Sequence, residues 1–160
     1  IVETANKIPD VVKGLIFVDF MQNPDFQYSP EMVDNIKGFL MNTVTNPSKE
    51  AVTGVWFKRN IDESFNKLLS VLEGPSRVGW EEFIDPFFRW LNENCIESIK
   101  TIKAPIVAIN SDNQPTNVAA FNKYVPSFNV KIMKDVGHFV FWDAPDEFNG
   151  LLEESLQEIL

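Results

Sequence analysis

Apolar and polar positions follow two rhythms along this chain, and the change between them divides it. Lys13-Gly14-Leu15-Ile16-Phe17-Val18-Asp19 is a continuous apolar run, the pattern of a strand buried on both faces of a parallel sheet. Comparable short runs return late in the sequence, so strands are predicted near 14–18, 105–110 and 129–133. From Pro30 to about Ser98 apolar residues recur at three- and four-residue spacing instead, predicting helices over 30–44, 47–58, 62–73 and 80–94. Asn46-Pro47, Asn60-Ile61-Asp62 and Gly74-Pro75-Ser76 separate them; Asn46 and Asp62 suit N-caps and Pro47 a first helical position. Residues 1–8 read as the end of a helix and 117–124 as a short one. The last helix, 145–159, sets Phe148, Leu151, Leu152, Leu156 and Ile159 near 3.6-residue spacing. Strand–helix alternation with short loops predicts an α/β fold with a parallel sheet. Its core comprises 1–23 and 99–160, with 24–98 as a helical insertion.

Composition narrows the functional classes. With 44% hydrophobic and 23% charged residues, including 14 Phe and 4 Trp, the chain has ample bulk for a core and an apolar pocket. A net charge of −9 without a cluster of Lys or Arg argues against a nucleic-acid partner. Cys95 is alone, so neither an intrachain disulfide nor a CxxC motif can be drawn, and it reads as a buried bystander. One Cys and one His make a zinc site improbable, and no metal is expected. No apolar run approaches membrane-spanning length. Ile1 is not an initiator methionine, and Ile1–Lys7 reads as a helix already in progress without the features of a signal peptide. A fragment or processed chain is therefore expected; its compartment is undetermined, with cytoplasmic favoured over secreted.

The chemistry centres on the sole histidine. His138 lies in Val136-Gly137-His138-Phe139, after the third strand and before a helix opened by Asp143-Ala144-Pro145. In open α/β sheets functional residues gather beyond the carboxyl ends of strands. The three ends deliver Asp19, Asp112 and His138. A carboxylate that accepts the imidazole Nδ1–H fixes the tautomer, leaving Nε2 to act as a base. A lone histidine is more often structural, and an Asp in a turn commonly serves its own backbone. The acid-then-histidine order on successive strand ends favours catalysis, with Asp112 as the acid and Asp19 as its alternative.

These motifs resemble those of the α/β-hydrolase fold family. Lys13–Asp19 resembles its sixth strand, Pro105–Thr116 its seventh strand and acid turn, and Val136–Phe139 with Pro145 and Phe148 its histidine turn and final helix. The helical stretch between them resembles the family's lid. The resemblance implies a serine-type hydrolase, esterase-like, acting on an ester or related acyl or C–C bond, with no cofactor. The family's G-x-S-x-G elbow occurs nowhere in these residues. The nucleophile is therefore expected upstream of Ile1, and the 160 residues alone are expected to be inactive. The partner implied is a small molecule with an apolar part, and Trp56, Trp80, Phe88 and Phe139 are candidates to line its pocket. Phe83, Phe87 and Trp90 share a helix face and are expected to pack in a core. The rival reading is a non-catalytic module of the same descent that binds a ligand or a partner chain through its aromatic lid. On either reading, self-association through the lid or an exposed sheet edge is a candidate interaction.

Overall fold

The computed structural model describes residues 1–72 and 76–160, excepting the side chains of 76–78 and 80–81. Its centre is a three-stranded parallel sheet of β1 (Leu15–Val18), β2 (Ile106–Ser111) and β3 (Asn129–Met133), in that order. Leu15 pairs with Ile106 and Val18 with Ile109; Val107 pairs with Asn129 and Ser111 with Met133. All six residues of β2 are buried, as the central position demands. The outer edges of β1 and β3 carry no further strand among the described residues.

Alternation along each strand feeds two apolar layers. Leu15, Phe17, Ile106 and Ala108 pack with α1 (Val2–Lys7), α6 (Cys95–Lys100) and α7 (Val118–Asn122), through Val2, Ile99 and Phe121. Ile16, Val18 and Ile109 face the other way, onto α8 (Val140–Asp143) and α9 (Pro145–Ile159), where Val140, Phe148, Leu151 and Leu152 meet them. Cys95 is buried, its thiol contacting the Met21 sulfur at 3.4 Å; burial and the nearby Glu3 push it up to about 12. It is thus a neutral core residue at ordinary pH.

Between β1 and β2 stand α2 (Pro30–Thr45), α3 (Lys49–Val52), α4 (Ile61–Leu72) and α5 (Ser76–Glu93). Val52, Trp56, Phe57 and Leu68 form a core of their own, which Phe39, Leu40 and Phe65 complete and Phe139 and Trp142 join to the rest of the molecule. The helix expected over 47–58 ends early. After Val52 the chain turns through Gly54, whose φ of +83° is left-handed, and Gly54 N donates to the Phe57 carbonyl. Phe83 also departs from expectation, since it is half exposed and stacked on Phe87 rather than packed in a core. No described helix is long and apolar enough to cross a membrane.

Candidate active site

Asp19 and His138 meet beyond the carboxyl ends of the strands. The imidazole Nδ1 lies 2.7 Å from Asp19 Oδ2. A carboxylate at that distance accepts a hydrogen bond from Nδ1–H, and in the neutral imidazole that tautomer has its lone pair on Nε2. The carboxylate is 4% exposed and the imidazole 49%, so the pair joins a buried carboxylate to a solvent-accessible imidazole.

Asp112, the acid expected from the sequence, does not reach the histidine. Its Oδ1 accepts the backbone N–H of Asp135 at 3.0 Å, and the Lys58 ammonium stands 3.9 Å from the same oxygen. The reason is where β2 stops. The strand runs to Ser111, and Asp112 N donates to the Met133 carbonyl, so the ladder continues one residue past the expected end. The Asp112 side chain then closes the top of the β2–β3 pair.

Asp19 reaches the histidine although its strand is two positions from β3. Its backbone N–H donates to the Ile109 carbonyl as the last rung of the β1–β2 ladder. Its φ of +41° then turns the chain left-handed, with Met21 at +58° in the same loop. Asp tolerates that region better than most residues, and such strained positions concentrate at functional sites. The carboxylate lies over the end of β2, where Ser111 N donates to Oδ1 at 2.7 Å. Burial works to raise the carboxyl's affinity for protons, but hydrogen bonds from His138 and from the Ser111 backbone and side chain prevail. The net effect holds Asp19 below the ordinary carboxylate range.

The histidine turn is set by contact with the helical insertion. Gly137 N donates to Asp143 Oδ2 at 2.8 Å, His138 N to the Val55 carbonyl at 3.0 Å and Phe139 N to the Trp56 carbonyl at 3.1 Å. Gly137 is required by proximity, since a Cβ there would lie 2.2 Å from the Trp56 carbonyl carbon and oxygen. The imidazole sits edge-on to Phe139, which contacts Trp56, and Trp56 contacts Phe39. Two proposed pocket residues, Trp56 and Phe139, are therefore together beside His138. Phe88 belongs to a different aromatic group with Tyr28 and Phe87, and the Trp80 side chain lies outside the described residues. No group of His, Cys, Asp and Glu suited to a metal ion occurs among the described residues.

Sequence reasoning missed Asp143, which is buried and accepts N–H groups from Lys58, Arg59, Asn60 and Gly137. Its position two residues before Pro145 suggested a helix start. In the structure Ala144 occupies the N-cap of α9 with no side-chain cap, and Asp143 serves the loops instead.

No family model matches the sequence, and no curated protein matches it. Solved structures do match in fold. A serine hydrolase from the polyaromatic-hydrocarbon-degrading bacterium Cycloclasticus zankles is similar over 98% of this chain and 59% of its own, at 14% identity and TM-score 0.66. A thermophilic esterase from Thermogutta terrifontis is similar over 99% and 60%, at 17% identity and TM-score 0.60. The 2-hydroxy-6-oxo-6-phenylhexa-2,4-dienoate hydrolase of Rhodococcus sp. strain RHA1 is similar over 97% and 59%, at 10% identity and TM-score 0.59. This chain has the α/β-hydrolase fold, and spans between 56% and 64% of the length of the first structures it matches.

Proposed function

We propose that these residues form the histidine-and-acid portion of a serine-type α/β hydrolase, with His138 as the base, Asp19 as its orienting acid and residues 24–98 as the lid. The observation that carries it is the 2.7 Å contact between His138 Nδ1 and a buried carboxylate beyond the ends of the strands. In this reading a serine outside these 160 residues attacks a carbonyl carbon, and its hydroxyl proton passes to Nε2 of His138. Asp19 stabilises the imidazolium so formed, which then protonates the leaving group. Water repeats the sequence on the acyl-enzyme and releases the acid. The substrate class is an ester or related acyl or C–C bond, with an apolar part against Phe139, behind which Trp56 is buried. No cofactor is required by this chemistry.

The test uses the intact gene product, activated esters and a fluorophosphonate probe. Asp19→Asn should lower kcat by roughly three to four decades, as loss of tautomer control does in serine proteases. Asp112→Asn should stay within several-fold of wild type. The reverse ranking would overturn the acid assignment. Failure of the intact protein to turn over esters or take up the probe would favour the binding module instead.

A further inference from the structure

Asp143 has no part in the proton transfers described above, yet it is the most fully engaged carboxylate near the histidine. It is 2% exposed. Oδ1 accepts the backbone N–H groups of Arg59 and Asn60, each at 2.9 Å. Oδ2 accepts those of Lys58 and Gly137, each at 2.8 Å. Four donors match the four lone-pair sites of a carboxylate, and three come from one short stretch of the helical insertion. The fourth belongs to the residue immediately before His138.

The two neighbouring donors of the histidine turn complete the joint. His138 N and Phe139 N bond the carbonyls of Val55 and Trp56, which precede Lys58 in the same stretch. Three successive N–H groups, 137 to 139, are thus held either by the insertion or by the carboxylate that grips it. Around the edge, the Arg59 guanidinium binds the Asp135 and Lys134 carbonyls and Glu147. Asn113 Nδ2 donates to the same Val55 carbonyl as His138.

We propose that Asp143 is a positioning residue for His138. By tying 58–60 to Gly137 it fixes the backbone from which the imidazole meets Asp19, so this stretch of the insertion is part of the catalytic frame rather than a movable cover. The inference rests on the Asp19–His138 reading and deepens it. An Asp143→Asn change keeps the shape but turns one acceptor into a donor facing backbone N–H groups. Those groups cannot all remain bonded, so the turn must shift.

The test follows the His138 imidazole by 15N-edited NMR in the intact protein, with the resonance assigned by its loss in His138→Gln. In wild type the Nδ1 proton should appear as a strongly hydrogen-bonded, downfield signal that Asp19→Asn abolishes. If wild type and Asp19→Asn give the same spectrum, the dyad itself is absent and both readings fail. With the dyad established, Asp143→Asn should move or broaden that signal. It should also lower kcat about 10- to 100-fold, the scale of a misplaced catalytic group, with KM within about twofold.

A second variant tests the joint from the opposite side if Asp143→Asn does not fold. A Cβ at Gly54 would meet nothing within 4 Å, but its φ of +83° strains any other residue, so Gly54→Ala loosens the turn carrying the Val55 and Trp56 carbonyls. It should shift the same resonance in the same direction. A lowered unfolding midpoint with the Nδ1 signal and kcat unchanged, in either variant, would show a merely structural carboxylate and overturn the proposal.

Discussion

Single atoms decide the site's geometry, and glycines show it most directly. Gly137 approaches the Trp56 backbone so closely that Gly137→Ala must push the histidine turn and the insertion apart. The expected loss of stability is about 3 kcal/mol, the upper part of the range for overpacking. Gly150 is the control. It lies within α9 with open space around its would-be Cβ, so Gly150→Ala should stabilise by about 0.5–1 kcal/mol. Urea midpoints of the two variants check both sign and size. Had a change at 137 proved harmless, the contact between the histidine turn and the insertion would be looser than the structure has it. That Asp19 rather than Asp112 contacts the imidazole likewise depends on one residue, through a left-handed φ at position 19 that no spacing rule announces.

Most elements were legible to within a few residues, but their caps were not: Asn46 is the C-cap of α2, Ser48 rather than Asn46 caps α3, and Asp62 lies within the first turn of α4. The strands fall where the apolar runs predict, and α2 begins behind Ser29, whose side chain accepts Met32 N at 3.2 Å with Pro30 next. Ser29→Ala should therefore cost about 1 kcal/mol, because one N–H of the first turn loses its acceptor. Denaturant unfolding measures it, and no change would mean that solvent replaces the cap fully at this exposed end. The expected helix over 47–58 was misread because Gly54 sits in an otherwise helical pattern, and a single glycine is tolerated in many helices. Here it ends α3 and frees 55–60 to bond the histidine turn. The helices α6 and α8, of six and four residues, were missed; both are too short to show a period.

At the scale of the molecule, two buried carboxylates link stability to pH. Asp143, like Asp19, is raised by burial and lowered more by its hydrogen bonds, here those of the Asn60, Gly137, Lys58 and Arg59 backbone, for a net fall. Each group's proton affinity is lower in the folded than in the unfolded chain, where Asp titrates near 3.9. Their contribution is therefore complete above the ordinary carboxylate range and drains away as pH falls through the folded values. Exposed groups lowered by neighbours, such as Glu63 and Glu158, share the sign but are screened by salt. Urea midpoints measured from pH 6 downward in high salt should still decline. The decline should flatten in an Asp143→Asn variant that remains folded. An unaltered slope would mean that Asp143 does not carry this linkage.

The sequence by itself determined the α/β class, the three strands, the helical stretch between the first two of them and the place of His138 after the third. Those features are written in local periodicity and in apolar runs long enough to require burial, as in Leu15–Val18 and Ile106–Asn110. Which carboxylate contacts the histidine depended on where the β1–β2 and β2–β3 ladders stop relative to each other, and on a backbone turn at Asp19. The grip of Asp143 depended on Lys58, Arg59 and Asn60 arriving from more than 80 residues away. A carboxylate's partners across such separations are chosen when the insertion packs on the strand ends, since backbone N–H groups look alike in every sequence. Only the tertiary structure could decide them.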